Sequence, residues 1–318
     1  MDIVAGIDIG GTNTEVGLVD NTGKIIFSRK FPTKKYFKAE ELVKDVSDFI
    51  KNVTRNSTYK LRGIGIGVPN GNYFTGTVEY AANLKWKTSV PLKQYFEERF
   101  DSSVKIVLTN DANASAVGEY IFGNAKNCKN FIVVTLGTGL GAGIFINGEL
   151  LYGSDGLAGE LGHTVAIPEG RKCNCGNKGC LETYVSATGI KRTTSELLAN
   201  TLIPSKLRQI APNNLSARKI QELALSGDKI ALDAFEYTGE ILGKALANIS
   251  AILNPRKIFI HGGLSKAGDL LLKPTEFHMQ EHLLYTLKNK VSIEQSGLPD
   301  ENIAVLGAAA LIFNYFEI

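Results

Sequence analysis

The chain has 318 residues, 44% of them hydrophobic and 21% charged, enough to bury a substantial core and to favour two domains over one. Its formal net charge of +3 is too mild to call for a nucleic-acid partner, and the Lys34-Lys35 pair with Lys38 reads as a solvated loop. Asp2 stands where a secretory signal needs positive charge, and no apolar stretch with a small-residue cleavage site follows it, so a cytoplasmic location without a membrane partner is expected.

In chain order, Ala5 to Ile9 reads as a strand that passes through Gly10-Gly11-Thr12 into a second strand, Val16 to Val19. The turn signal Asn21-Thr22-Gly23 then leads to a third strand and closes an antiparallel meander. From Ala39 to Val53 the apolar residues Leu42, Val43, Val46, Phe49 and Ile50 recur on one helical face. A strand from Leu61 to Val68, a helix from Pro91 to Phe100 with proline in its first turn, and a strand from Val104 to Leu108 complete the order βββαβαβ, an α/β sheet layered with helices. An alanine-rich helix is expected after Asn110-Asp111-Ala112-Asn113.

The uncharged run from Phe131 to Ile146 is slightly short for a membrane span and is interrupted by Gly137, Thr138, Gly139, Gly141 and Gly143. It reads instead as strand, Gly/Thr turn and strand, followed by the turn signal Asn147-Gly148. That repeats the opening meander, so the chain reads as internally duplicated. Lys229 to Leu253 predicts a long core helix with Leu232, Phe235, Leu242, Ala245, Leu246, Ile249 and Leu253 on one stripe, stopped by Asn254-Pro255. A buried strand, Lys257 to His261, precedes Gly262-Gly263-Leu264-Ser265, which opens another helix, and Ala304 to Phe316 predicts a C-terminal helix.

An acid followed by a Gly-Gly-Thr turn offers backbone N–H groups, a hydroxyl and a carboxylate, a set suited to a nucleotide phosphate and its magnesium. Asp8 to Thr12 alone is as compatible with a plain hairpin. A second turn at Gly137-Thr138-Gly139 shifts the reading toward a polyphosphate clamp, and Gly262-Gly263 would let an adenosine approach the backbone. Asp111 is readable as an ordinary helix cap, or as a carboxylate at a cleft mouth that accepts a substrate hydroxyl proton.

His163, Cys173, Cys175 and Cys180 gather three of the four cysteines and one of the four histidines in one short stretch. Three thiolates and an imidazole form a closed tetrahedral set for structural zinc, whereas disulfides would leave one cysteine of three unpaired. Cys128 reads as an ordinary thiol. Glu160 and Glu182 flank this cluster, and carboxylates around a fixed imidazole suit a polyhydroxylated ligand.

Taken together, Asp-x-Gly-Gly-Thr, Asn-Asp-Ala-Asn, Leu-Gly-Thr-Gly-x-Gly-Ala-Gly, Gly-Glu-x-Gly-His and Cys-x-Cys-Gly-x-x-Gly-Cys-x-Glu resemble the ROK family of sugar kinases and repressors, in order and along nearly the whole chain. The resemblance implies an α/β, duplicated ribonuclease-H-like fold of the actin, hexokinase and Hsp70 type, with ATP and sugar meeting in a cleft between two domains. The expected division is residues 1–113 with 304–318, and 114–303 carrying the zinc site. By the same resemblance Asp111 matches the base acting on a hexose 6-OH, and Gly71, Asn83, Asn110, Glu160, His163 and Glu182 match sugar-binding positions. Asp8, Gly10, Gly11, Thr12 and Thr138 match the phosphate and magnesium side, with Asn13, Gly137, Gly139, Gly262 and Gly263 completing the nucleotide set. His163, Cys173, Cys175 and Cys180 match zinc ligands.

The expected activity is an ATP-dependent hexose kinase acting on glucose, with an N-acetylhexosamine kinase, especially for N-acetylmannosamine, as the alternative. A sugar-sensing repressor is the competing class, disfavoured because the first phosphate turn begins at Asp8 and leaves no room for a helix-turn-helix. A homodimer is expected from the resemblance. The family loop Gly-x-Pro-Gly is here Gly67-Val68-Pro69-Asn70-Gly71, where asparagine tolerates a left-handed turn, and Asn72-Tyr73-Phe74 is expected to reshape the sugar pocket.

Overall fold

The computed structural model describes residues 1–55, 57–81, 83–86, 88–299 and 303–316. Ten strands and nine α-helices are found among them. The opening strands β1 (Asp2–Ile9), β2 (Thr14–Val19) and β3 (Ile25–Phe31) pair antiparallel in sequence. Helices α1 (Ala39–Thr54) and α2 (Leu92–Glu97) then carry the chain to β4 (Lys60–Gly67) and β5 (Lys105–Thr109), which join β1 in parallel, giving the order β3-β2-β1-β4-β5. The second sheet contains β6 (Phe131–Leu136), β7 (Leu140–Ile146), β8 (Glu149–Leu150), β9 (Lys257–His261) and β10 (Ser292–Gln295). Its order β8-β7-β6-β9-β10 repeats the first sheet, with β9 and β10 again parallel to the opening strand. The duplication expected from the two Gly/Thr turns is therefore present in the strand order, although the third strand of the second meander is only two residues long.

The chain forms two compact units, Met1–Lys129 with Gly143–Gly159 and Gly297–Ile318, and Asn130–Ala142 with Glu160–Ser296. This grouping differs from the expected boundaries by placing helix α3 (Asp111–Ile121) and residues 143–159 in the first unit. Helix α9 (Ile303–Phe316) draws α3 in by packing against both α3 and β4, and β8, within residues 143–159, in turn touches α3. Residues 300–302 and 317–318, which the expected boundaries included, lie outside the described residues.

In the first unit, Leu42, Val43, Val46 and Ile50 of α1 join Ile3, Ile7, Ile64 and Ile66 in one core, as the helical spacing predicts. Against α9 the strands carry glycine instead. A Cβ on Gly65 would lie 1.8 Å from the Ala308 carbonyl oxygen and one on Gly6 2.1 Å from that of Val305, so helix and sheet meet backbone to backbone.

In the second unit, α4 (Glu182–Val185), α5 (Ala187–Asn200), α6 (Ala217–Leu225) and α8 (Asp269–His282) all pack on the long helix α7 (Lys229–Leu253). Helix α7 has the expected bounds because Asp228 caps it, accepting from the Ala231 N–H at 3.2 Å, and Asn254 ends it with φ 45°. Its buried stripe is shifted from the expected one. Leu232 is 36% exposed and Ile249 only half-buried, while Gly239 and Gly243 are buried against Pro274 and Thr275 of α8. The small residues admit α8 closely, and this contact rotates the buried face toward them. No helix among the described residues is long and apolar enough to cross a membrane.

Candidate active site and metal centre

The candidate residues fall into two groups, one in each unit. In the first, Asp8, Gly67 and Thr109 stand at the carboxyl ends of the parallel strands β1, β4 and β5, the edge where open α/β sheets bind ligands. Asn110 caps α3, its Oδ1 accepting from the Asn113 N–H at 2.7 Å. Asp111 is thus the first helical residue rather than the cap, and its Oδ1 accepts from the Ala112 N–H at 2.9 Å. It is open to solvent, yet the protein packed around its carboxyl pushes its pKa up despite that hydrogen bond.

Asp8 is pushed up to about 7, first by burial and then by the charges of Asp111 and Glu15. Gly67 lies between the two acids, since a Cβ there would be 3.7 Å from the Asp111 Cα and 4.0 Å from Asp8 Oδ1. Gly10 closes the first turn by donating its N–H to the Asn13 carbonyl at 2.9 Å, and Thr12 and Asn13 are exposed. Gly11 has no space for a side chain, because its Cβ would fall 2.6 Å from the Asn83 carbonyl oxygen; the turn and exposed Asn83 therefore lie side by side.

Asn70 adopts φ 55° and donates its Nδ2 to the Glu79 carbonyl at 2.8 Å, so the turn persists as expected. Gly71 is buried, and a Cβ there would lie 2.6 Å from the Thr109 carbonyl oxygen. Asn72, rather than projecting outward, is buried and donates to the Asp155 carbonyl at 2.9 Å. Tyr73 stacks on Tyr152 with ring centroids 4.0 Å apart. The sequence marked Gly67 only as the start of the family loop and gave no role to Tyr152 or Thr109, whose contacts with Tyr73 and Gly71 lie far along the chain.

In the second unit, the Gly137 N–H donates to the Gly139 carbonyl at 3.0 Å, and Thr138 is exposed at the tip of the turn. Gly262, with φ 102°, packs on the backbone of Leu136, and neither Gly137 nor Gly263 has any atom within 4 Å of a Cβ position. These open backbones leave room for a ligand to approach.

His163, Cys173, Cys175 and Cys180 place their ligand atoms within 4.8 Å of one another. Cys173 Sγ is 3.7 Å from His163 Nδ1, and Cys175 Sγ is 3.6 Å from Cys180 Sγ. Tetrahedral zinc with bonds of 2.0–2.3 Å would hold its ligands about 3.3–3.8 Å apart, so these two pairs match that ion and the cluster as a whole is compatible with it. Burial pushes the Cys173 thiol up to about 12, while the Asn177 N–H lowers Cys175. His163 Nε2 faces Glu160 at 3.9 Å. Glu182 is 3.1 Å from Cys173 Sγ through Oε1, and its Oε2 would lie 2.6 Å from a Cβ on Gly139, which seats it between the cysteine cluster and the second turn.

The ROK family model matches residues 4–314. The chain is 38% identical to a glucokinase of Halalkalibacterium halodurans over 88% of its own length and 86% of that protein's, and 33% identical to a glucokinase of Thermotoga maritima over 96% of each. Among solved structures it is similar to a ROK family glucokinase from Streptomyces griseus in complex with glucose and AMPPNP, with 30% identity, a TM-score of 0.79, and coverage of 97% of this chain and 98% of that one.

Proposed function

This chain belongs to the ROK family, and from that premise we propose that it is an ATP-dependent hexose kinase, a glucokinase that transfers the γ-phosphoryl group to the 6-OH of glucose. The observation that carries the reading is Asp111, a solvent-accessible carboxylate at the first residue of α3, just beyond β5, with a raised pKa, the type of group that can accept a hydroxyl proton. Asn110 and Asn83 of the first unit, with Glu160, His163 and Glu182 of the second, supply the carboxylate, amide and imidazole groups that would orient sugar hydroxyls. Gly71 shapes the loop beside Thr109.

The Gly10–Asn13 and Gly137–Gly139 turns offer backbone N–H groups to the phosphates, and Gly262-Gly263 leaves a backbone edge open for the adenosine. Asp8 and Thr12 give the hard oxygen donors that suit Mg²⁺, and a cation there would offset the burial and the repulsion that together raise the Asp8 pKa. Bound magnesium would neutralise charge on the transferring phosphoryl group. Zinc held by His163, Cys173, Cys175 and Cys180 would be structural, fixing the histidine ring and the loop that carries Glu160 and Glu182. A homodimer and a cytoplasmic location are parts of the same proposal.

The test is ADP release with Mg·ATP across glucose, mannose, fructose, allose, N-acetylglucosamine and N-acetylmannosamine. Preference for glucose is the expected result. Preference for an acetylated sugar would replace the acceptor, and sugar binding without turnover would favour a sensor.

A further inference from the structure

The segment before the first cysteine ligand carries Arg171, whose role neither the zinc site nor the turns explain. Its side chain is only 10% accessible, and all five guanidinium N–H donors are engaged. Nε and Nη2 form a fork on the Glu196 carboxylate at 3.0 and 2.5 Å, Nη2 also donates to Thr193 Oγ1 at 2.9 Å, and Nη1 donates to the carbonyls of Thr183 at 2.8 Å and Gly189 at 3.3 Å. The guanidinium carbon lies 4.4 Å from the centre of the Tyr184 ring, and the backbone N–H of Arg171 donates to the Tyr184 hydroxyl at 2.8 Å. One residue thereby clasps the corner where α4 meets α5.

That corner is what touches the Gly137–Gly139 turn. The Ala187 N–H, in the first turn of α5, donates to the Gly137 carbonyl at 2.9 Å, and the Glu182 carboxylate at the start of α4 rests against Gly139. Ser186 locks the corner from inside, donating to the Glu182 carbonyl at 2.6 Å and accepting from the Gly189 N–H at 3.0 Å. We propose that Arg171 is a positioning residue that sets the Gly137–Gly139 turn for the nucleotide, by holding the α4–α5 corner against the cysteine loop. The proposal rests on the reading of that turn as part of the nucleotide site. A lysine cannot replace the residue, because one ammonium cannot span a bidentate carboxylate, a hydroxyl and two carbonyls.

The experiment measures, on zinc-loaded wild type, Arg171→Ala, Arg171→Lys and Glu196→Gln, the equilibrium affinity for Mg·AMPPNP without sugar, the KM for ATP and for sugar, and bound zinc. The expected result is about a tenfold loss of nucleotide affinity in both Arg171 variants and a smaller loss in Glu196→Gln. Zinc content should stay within about twofold, and sugar KM should change less than nucleotide affinity, although Glu182 lies in the same corner. Unchanged nucleotide affinity in variants of a wild type that binds nucleotide would overturn the proposal. So would parallel losses of zinc and sugar affinity, which would make Arg171 only a brace for the cysteine loop. Should Arg171→Ala fail to fold, Glu196→Gln, which keeps a hydrogen-bond acceptor, decides in the same terms. A folded wild type with no nucleotide affinity would remove the functional reading and this proposal with it.

Discussion

Asp8 gives the sharpest quantitative expectation. Its carboxyl rises from 3.8 to about 7 on folding, through burial and the neighbouring charges of Asp111 and Glu15. The fold therefore favours the protonated acid, and between these two values the folded chain binds more protons than the unfolded one, so stability falls as pH rises through that window. The difference of roughly 3 units corresponds to about 4 kcal/mol at 1.36 kcal/mol per unit, and residual solvent around this half-buried side chain reduces it to about 2–4 kcal/mol. Asp8→Asn removes the penalty while keeping size and shape. It should match wild type near pH 4 and be more stable at pH 8, by roughly 5–15 °C in Tm at 2–4 °C per kcal/mol. Thermal melts of both proteins from pH 4 to pH 8, in chelator and without nucleotide, measure the effect. A variant equal to wild type at every pH, or less stable at pH 8, would refute the account. The same substitution should abolish turnover, stability and activity then pulling in opposite directions at one residue.

Asp111→Asn should lower kcat by about 10²–10⁴-fold while equilibrium sugar binding persists, and turnover retained at the wild-type level would remove the assignment of the base. Purified protein should contain one zinc per chain by elemental analysis, lost in Cys175→Ser together with sugar affinity; a fully active, metal-free preparation would contradict the structural role. Because burial holds the Cys173 thiol high, zinc binding must expel its proton, so zinc affinity should weaken as pH falls, read by competition with a chromophoric chelator. Gly65→Ala puts a methyl group 1.8 Å from the Ala308 carbonyl oxygen, and a loss of at least about 3 kcal/mol in urea unfolding is expected, against near-neutrality if α9 were loosely docked.

Much of the architecture was readable because punctuation and periodicity agreed. The Asn254-Pro255 stop and the Gly/Thr turns are local signals, and the duplicated meander they announced recurs in the two strand orders. What failed was long-range. The buried stripe of α7 depends on Gly239 and Gly243 receiving α8, and a glycine carries no hydrophobic mark in a sequence. The four side chains of the candidate metal centre were legible from residue type and closeness in the chain, whereas Arg171 draws its meaning from Glu196 and Gly189, beyond any local pattern. The tie from buried Asn72 to Asp155 was likewise beyond local reading, because its partner lies in a segment 83 positions away.

The glycine-lined seat of α9 also has a consequence for synthesis. Between Lys129 and Ile303 the ribosome makes all of the second unit before the helix that covers β1 and β4 exists. At 5–20 residues per second that interval lasts roughly 10–35 s, during which the first unit has its strands but not its lid. The second unit is thus free to mature first, and the part of the chain translated earliest is finished last.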